Sequence, residues 1–295
     1  MKLAAIDIGT NSIRLLLCKK EKENFATIKR SLKAPRLGAG AKDDYLTTSA
    51  IKRSIDVLRD YKKEAEQEGA KIIAVATSAV REAKNKDEFL TKVETELGIK
   101  IKVLSGRQEA QIAYQGMIKS FNELAKDILT IDIGGGSTEL IYGNQNKYFD
   151  YSSFKIGAIR LTEEFGESFE AMAKKVKRVL TPYLKTKKVK QLLGAGGTIT
   201  TLAAIKNSLV EYEHDLIHGE KLTRKDIKKI FNCLKELPLA KRKKVAGLNA
   251  DRADIILAGT IILQAIMELI DITEIIVSDQ GLLEGIVYNC DYKLN

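Results

Sequence analysis

The stretch Leu129–Ile141, LTIDIGGGSTELI, determines how this chain is interpreted. Strand-forming residues lead to Asp132, three glycines follow at positions 134–136, and apolar residues resume after Glu139. Glycine lets a backbone approach an anion closely and turn successive N–H groups towards it. The pattern therefore predicts a β-hairpin whose turn holds phosphate oxygens, with carboxylates placed to bind a divalent cation.

The N-terminal stretch Ala5–Leu17, AIDIGTNSIRLLL, repeats this pattern. When the two stretches are aligned on Asp7 and Asp132, Arg14 falls where Glu139 falls in the other copy. The two strand–turn–strand units lie 125 residues apart, measured from Asp7 to Asp132. They therefore indicate two similar domains, each offering its turn to a ligand in a cleft between them. Read alone, either copy is also compatible with a hairpin that has a tight glycine turn and no ligand.

The length and composition fit a two-domain intracellular protein. The chain has 295 residues, of which 44% are hydrophobic, and this is natural for two cores. No stretch approaches the roughly 18 to 20 apolar residues that a membrane span needs. The three cysteines are scattered, which is typical of reduced thiols, and Met1 directly precedes a predicted strand. We therefore expect a cytoplasmic protein with no leader peptide and no membrane partner.

The net charge of +10 suggests an anionic ligand. Basic residues concentrate in Lys174–Lys190, which contains eight Lys or Arg and no acid, and in Lys241–Lys244. A solvated surface is the plain alternative for much of this charge. The chain has no zinc-finger pattern and no Trp, and only 6% of its residues are aromatic, which argues against nucleic acid. A polyphosphorylated ligand fits better.

Strands alternate with helices along the chain, which predicts an α/β fold with open sheets covered by helices. One long helix begins at Thr47 or Thr48 and ends at Gly69, and a second ends at Gly98. A third helix is predicted from Arg107 to about residue 121. Strands are predicted at residues 2–7, 13–19, 25–32, 71–76, 101–104, 128–133, 138–142, 148–153, 191–194 and 274–277.

Nine motifs occur in order along the whole chain. They are AIDIGTNSIRLL (5–16), ATSAVREAKN (76–85), VLSGRQEAQIAY (103–114), DIGGGSTEL (132–140), SFKIGAIRL (153–161), LGAGGTITTLA (193–203), HGEKLT (218–223), LNADRADIILAG (248–259) and VSDQGLLEG (277–285). This series resembles the exopolyphosphatase/guanosine pentaphosphate phosphohydrolase (Ppx/GppA) family, in its short two-domain form. The resemblance implies two actin-like, ribonuclease H-like domains with an interdomain cleft. It implies that residues 1–119 with 283–295 form one domain and residues 120–282 the other.

The resemblance also implies a catalytic set of Glu109, Asp132 and Glu139. In the family, the glutamate at position 109 activates the water that attacks the terminal phosphorus, and a carboxylate can serve as such a base. Read alone, Glu109 is an ordinary surface glutamate near a helix N-terminus. We expect Mg²⁺ or another divalent cation on Asp132 and Glu139. Asp7 is a weaker candidate ligand, for which a turn-capping role is the alternative.

Phosphate contacts are expected from backbone, hydroxyl and guanidinium groups. For Arg14 and Arg252 a structural ion pair is the alternative, and the Gly194–Thr198 loop can also be read as a tight strand-to-helix connection. Many relatives carry arginine where this chain has Leu283, which weakens any phosphate contact there. The expected set is Thr10, Asn11, Ser12, Arg14, Arg81, Gly134, Gly135, Gly136, Ser137, Thr138, Gly196, Gly197, Thr198 and Arg252.

His214 and His218 stand four residues apart, as helical metal ligands can, but no third ligand is evident and a structural role is favoured. The resemblance implies a phosphohydrolase, and we expect it to release terminal phosphate from inorganic polyphosphate. Guanosine pentaphosphate is the alternative substrate, and partners are limited to polyphosphate or guanosine penta- and tetraphosphate. A small-molecule kinase and a non-catalytic sensor of polyphosphate or the guanosine phosphates are more distant alternatives. A homodimer is left open.

Overall fold

A computed structural model of the protein describes residues 1–21, 24–40, 44–211 and 213–290. The architecture is α/β, as predicted, with two mixed sheets and helices between the strands. The strands are β1 (Lys2–Ile8), β2 (Ile13–Glu21), β3 (Asn24–Lys33), β4 (Lys71–Ala76), β5 (Ile101–Val103), β6 (Ile128–Ile133), β7 (Thr138–Gly143), β8 (Tyr148–Phe154), β9 (Gln191–Ala195), β10 (Lys221–Thr223) and β11 (Glu274–Val277).

The helices follow the strands in the alternation that the sequence predicts. A single 3₁₀ turn at Ala250–Arg252 precedes the most apolar helix. The helices are α1 (Thr48–Gln67), α2 (Ser78–Glu82), α3 (Lys86–Leu97), α4 (Gly106–Ile118), α5 (Ala158–Phe165), α6 (Phe169–Leu184), α7 (Gly197–Lys206), α8 (His214–Ile217), α9 (Arg224–Lys235), α10 (Leu239–Arg242), α11 (Ile256–Leu269) and α12 (Leu282–Tyr288).

The chain divides into two compact units. Unit 1 comprises residues 1–116 and 281–295, and unit 2 comprises residues 117–280. The domain boundaries expected from the sequence, after residue 119 and after residue 282, stay a prediction.

The sheet of unit 1 has the strand order β3-β2-β1-β4-β5. Strands β1 and β2 form an antiparallel hairpin, residues 2–21, which we call the first hairpin. In its register Asp7 lies opposite Arg14. Strands β4 and β5 continue the sheet in parallel with β1. The core under this sheet includes Tyr61 of α1 and Phe89 of α3, both fully buried.

The sheet of unit 2 has the strand order β8-β7-β6-β9-β11-β10. Its first five strands repeat the order and directions found in unit 1, and β10 adds an antiparallel edge strand. The antiparallel pair β6–β7, residues 128–143, is the second hairpin, and in its register Asp132 lies opposite Glu139. Helix α11 runs through the core of this unit and is buried over most of its length.

Most predicted elements are confirmed, including their end signals. The Thr47 hydroxyl caps α1 by accepting from the Ala50 N–H at 3.2 Å, and Gly98 ends α3 in the left-handed region. The third predicted helix begins at Gly106 but ends at Ile118, three residues early. Two short elements, α2 and β10, were not predicted because five and three residues are too few to show a periodic pattern. Among the described helices, none has both the length and the apolar character needed to span a bilayer.

Candidate functional site

The turn of the second hairpin brings two carboxylates to one place. The N–H of Gly134 donates to the Ser137 carbonyl at 2.9 Å and closes the turn. Asp132 and Glu139 lie opposite each other in the strand register, one position beyond the Ile133–Thr138 pair that borders the turn. The Glu139 residue is only 4% exposed, and its Oε1 accepts from the Ser153 hydroxyl at 2.7 Å. The sequence analysis did not single out Ser153, although it opens the SFKIGAIRL motif.

The carbonyl groups of this turn are held by the start of α5. The Ala158 N–H donates to the Gly134 carbonyl at 2.9 Å, and the Arg160 Nε donates to the Gly136 carbonyl at 3.1 Å. Within the described part of the chain, the N–H groups of Gly135 and Gly136 have no acceptor. The turn therefore presents amide donors that an anion can use. Arg160 was missed in the sequence analysis, although it lies in a quoted motif.

Two hydroxyl residues follow the glycines, and one of them is used inside the fold. Thr138 is fully buried, and its hydroxyl donates to the Ile156 carbonyl at 2.6 Å. This hydroxyl thus supports the loop between β8 and α5, and we do not carry it forward as a phosphate ligand. Ser137 is also buried and stays a candidate.

The loop between β9 and α7 lies against the same carboxylate. Gly196 has a positive φ of 87°, and a Cβ atom there would overlap the Asp132 carboxylate. A Cβ atom on Gly197 would overlap the Arg252 guanidinium, whose Nη1 donates to the Thr201 hydroxyl at 3.3 Å. Within unit 2 the structure therefore brings four predicted residues together: Asp132, Gly196, Gly197 and Arg252.

Thr198, the next residue of this loop, points into the interior. It is 6% exposed, and its side chain packs where a Cβ atom on Gly259 would stand. The close approach of α7 and α11 thus depends on Gly259 in the LNADRADIILAG motif. The threonine is placed to fix the loop against α11.

The first hairpin has the same turn but a different pair of charges. The Gly9 N–H donates to the Ser12 carbonyl at 3.0 Å. Arg14 donates to Asp7 Oδ2 through Nε at 2.8 Å and through Nη2 at 2.6 Å. The other oxygen, Asp7 Oδ1, is buried and has no hydrogen-bond partner among the described residues. The Asn11 side-chain oxygen is in the same condition.

A loop after β3 supports this first turn. The Gly38 N–H donates to the Thr10 carbonyl and the Arg36 N–H to the Asn11 carbonyl, both at 2.9 Å. The Thr10 hydroxyl lies 2.9 Å from the hydroxyl of Ser78, at the start of α2. The backbone of both residues and the hydroxyl of Thr10 are thus held in place, as groups that position a ligand need to be.

Glu109 lies in the first turn of α4, where a capping box holds the helix end. Gln108 Oε1 accepts from the Ser105 N–H at 3.0 Å, and the Ser105 hydroxyl accepts from the Gln108 N–H at 3.3 Å. The Glu109 side chain is 12% exposed, and Arg81 Nη1 donates to its Oε2 at 2.6 Å. The same Nη1 donates to the Leu104 carbonyl at 3.0 Å. The structure therefore pairs two residues that the sequence analysis had given separate roles.

The two histidines do not form a metal centre. The His218 ring stacks on Phe121 at 4.6 Å between centroids, and its Nδ1 accepts from the Asp279 N–H at 3.3 Å. The Nδ1 atom of His214 contacts the Asp279 carboxylate. Over the residues that the structure covers, no group of three or more His, Cys, Asp or Glu side chains could hold a metal ion. Leu283 is buried in unit 1.

Comparison with known proteins supports the motif series. A sequence profile described as the Ppx/GppA phosphatase family matches residues 16–293. The chain is 37% identical to a bifunctional 3-dehydroquinate synthase/phosphatase of Fusobacterium nucleatum over 96% of this chain. The match covers 46% of that relative, so the chain spans just under half of its length. The chain is also 29% identical to exopolyphosphatase 2 of Mycobacterium tuberculosis, over 97% of both proteins.

Solved structures give a similar result. A crystal structure of an exopolyphosphatase from Cytophaga hutchinsonii aligns over 100% of both chains, with a TM-score of 0.93 and 27% identity.

Proposed function

Because the chain belongs to the Ppx/GppA phosphatase family, we propose that it releases terminal phosphate from inorganic polyphosphate. The observation that carries the proposal is the carboxylate pair Asp132–Glu139 beside a glycine turn with two available amide donors. Relatives of nearly the same length bear the name exopolyphosphatase. Unit 2 is proposed to supply the phosphate-binding groups and the metal ligands, and unit 1 the general base.

Asp132 and Glu139 are the residues proposed to hold Mg²⁺. Mg²⁺ usually takes one or two carboxylates together with phosphate oxygens and water, so a register pair of carboxylates beside a phosphate-binding turn suits it. Asp7, the weaker candidate, stays a prediction: it belongs to unit 1, and its buried Oδ1 has no hydrogen-bond partner among the described residues. When bound, the cation would neutralise charge on the phosphoryl group that is transferred.

Glu109 is proposed to accept the proton of the attacking water. The water oxygen would bond to the terminal phosphorus while the bond from that phosphorus to the bridging oxygen breaks. The shortened chain would leave with the bridging oxygen as its new terminal oxygen. Arg81, whose Nη1 donates to Glu109 Oε2 at 2.6 Å, would fix Glu109 in position.

The transferred phosphate is proposed to bind the N–H groups of Gly135 and Gly136 with Ser137. Arg252, which lies against Gly197, would balance the negative charge of the next phosphate. Because the fold already holds these donors in place, they need little reorganisation when negative charge develops on the phosphoryl group in the transition state.

Guanosine pentaphosphate is the second candidate substrate. The loop Gly196–Gly197 opens α7, a helix of 10 residues, and a helix N-terminus preceded by glycines attracts anions. A second anion site would suit a ligand that carries phosphates at two places. A kinase would instead need an acceptor other than water, and a sensor would have no use for a base at Glu109.

The test is phosphate release from long-chain polyphosphate, from guanosine pentaphosphate and from ATP, each with Mg²⁺ and with EDTA. We expect polyphosphate to be the best substrate, and we expect EDTA to abolish its turnover. Release no faster than that from ATP would overturn the proposal. The variant Glu109→Gln should bind polyphosphate and lose about 10³-fold or more in turnover. The matched control is Glu94→Gln on the exposed face of α3, which should retain full turnover.

A further inference from the structure

Helices α9 and α10 carry a strongly basic surface. Helix α9 buries Ile227, Ile230 and Leu234 in the core of unit 2, and its opposite face is exposed to solvent. The exposed lysines of this region that have no carboxylate partner form what we call the α9–α10 lysine surface. Its members are Lys225, Lys228, Lys229, Lys241, Lys243 and Lys244.

These six lysines lack acidic partners, unlike those of the other basic segment. In the described parts of the chain, none of the six lies within ion-pair distance of a carboxylate. In residues 174–190, by contrast, half of the eight basic side chains are paired: Lys175 with Glu164, Lys177 with Glu268, Lys187 with Asp150 and Lys190 with Asp127. The six lysines of α9 and α10 are therefore neutralised less by carboxylates than the basic residues of that segment.

A buried arginine fixes this surface next to the glycine loop. Arg242 is 4% exposed, and its guanidinium donates to the carbonyls of Leu234 at 3.0 Å and Ala253 at 3.2 Å. These bonds connect Arg242, which lies in α10, to the end of α9 and to Ala253, the residue after Arg252. Arg252 itself lies against Gly197. Lys241, Lys243 and Lys244 thus flank an arginine that is bonded to the residue after Arg252.

We propose that the α9–α10 lysine surface binds the distal part of a long inorganic polyphosphate chain while its terminal unit is hydrolysed. This inference rests on the proposed function. Helix α9 alone is about 18 Å long, which gives room for several phosphate units in a row. Exposed ammonium groups are point charges without directional preference, so they suit a uniform anionic chain.

The composition of the surface favours polyphosphate over single-stranded nucleic acid. Nucleic-acid surfaces combine positive charge with aromatic rings on which bases stack. The aromatic residue of α9, Phe231, is instead packed edge-on against Phe169 at 5.6 Å between centroids. Charge is thus what the surface offers to a partner.

The test compares two variants that each lose four positive charges. The first, K228Q/K229Q/K241Q/K244Q, removes the centre of the surface, and the control, K52Q/K63Q/K71Q/K100Q, removes exposed lysines of unit 1. Both are assayed on polyphosphate of several hundred units and on tripolyphosphate. We expect the first variant to raise KM for the long chain about tenfold, given small contributions from each exposed charge. Its kcat/KM for tripolyphosphate should stay within about twofold of the native value.

The outcomes separate this inference from the proposed function. If the native protein hydrolyses neither substrate, the proposed function fails. If it hydrolyses both and the first variant matches the control on long chains, the lysine surface has no role and the inference fails. An equal loss on tripolyphosphate would also overturn it, because a distal site cannot affect a substrate that does not reach it. Binding of single-stranded RNA that depends on these lysines, with KM for polyphosphate unchanged, would assign the surface to nucleic acid instead.

Discussion

The two hairpins have the same backbone geometry at the turn and differ in the charged side chains beside it. In both, a glycine N–H closes the turn on the carbonyl three residues later, at 3.0 Å from Gly9 and 2.9 Å from Gly134. The second register pair from the turn is Asp7–Arg14 in the first hairpin and Asp132–Glu139 in the second. The first pair neutralises itself through two hydrogen bonds, whereas the second places two carboxylates side by side. A repeated turn can therefore serve charge pairing in one unit and cation binding in the other.

The largest expected difference between the hairpins is in turnover. Glu139→Gln should lower polyphosphate turnover about 10³-fold and weaken its Mg²⁺ dependence, since the loss of a metal ligand costs several kcal/mol of transition-state stabilisation. Arg14→Gln should lower turnover by less than about tenfold. It should instead cost about 3 kcal/mol of folding free energy, because it leaves the buried Asp7 carboxylate without its partner.

Steady-state kinetics over a Mg²⁺ series and urea unfolding of both variants test this contrast. If the roles of the two hairpins are reversed, Arg14→Gln will cause the large loss of turnover and Glu139→Gln will cause the loss of stability. A large loss of turnover in Arg14→Gln without a loss of stability would make the first hairpin the main phosphate site. It would remove the asymmetry on which the proposed mechanism depends.

The second difference lies in how each turn is supported. A Cβ atom on Gly157 would overlap the carbonyl of Gly135, and its distance to the Gly136 carbonyl carbon would be 2.5 Å. Those are backbone atoms of the second hairpin, so Gly157→Ala should cost about 3 kcal/mol or more of folding free energy. Gly38 is the counterpart behind the first hairpin, where a Cβ atom would overlap the Thr10 methyl group, a side-chain atom, and would lie at an ordinary contact distance of 3.5 Å from the Thr10 carbonyl oxygen.

Gly38→Ala is therefore the matched control for Gly157→Ala, with an expected cost of about 1 kcal/mol or less. Differential scanning calorimetry of both variants measures the contrast. Equal costs would show that the start of α5 adapts as easily as the loop after β3, and that the second turn is not rigidly held.

The repeated turns could be predicted from the sequence because they depend on local chemistry. The Asp-x-Gly spacing and the apolar strands on either side determine each hairpin, and Gly98 ends α3 as its type predicts. The partners of charged side chains could not be predicted in the same way. The ion pair of Arg81 with Glu109 joins residues 28 positions apart, so it depends on the tertiary fold and not on a local pattern.

The same limit applies to the hydroxyl residues. Thr138 and Thr198 have the residue type of a phosphate ligand, but both side chains point into the core of unit 2. Strand β7 buries its residues on both faces, so alternation along the sequence gives no sign of which hydroxyl is available. Whether such a residue binds a ligand or supports a loop depends on which element packs over it.

A third contrast concerns pH, because the first hairpin contains a buried thiol. Burial raises the pKa of Cys18 to about 11 from its ordinary value of 9.0. The folded protein therefore keeps this proton at a pH where the unfolded chain loses it. The stabilisation is complete below pH 9 and disappears as the pH rises towards 11, and it amounts to about 2 kcal/mol. The second hairpin carries glycine at its last position and no thiol.

Chemical unfolding of the native protein and of Cys18→Ala at a series of pH values from 8 to 11 tests this point. Both proteins contain the same buried tyrosines, so their contributions to alkaline instability are common to the two curves. The difference in unfolding free energy should shrink by about 2 kcal/mol across that range. A constant difference would mean that the Cys18 thiol ionises equally in the folded and unfolded states.

The smallest predicted effect is one that should be equal in the two hairpins. A Cβ atom on Gly9 would lie 3.2 Å from the Ser12 carbonyl oxygen, and one on Gly134 would lie 3.2 Å from that of Ser137. In each case the oxygen must move by a few tenths of an ångström, which lengthens the hydrogen bond that closes the turn. Gly9→Ala and Gly134→Ala should therefore each cost about 1 kcal/mol, with values that agree within about 0.5 kcal/mol. A cost confined to Gly134→Ala would mean that the start of α5 stiffens the second turn. The two turns would then have the same shape but would differ in how easily they deform.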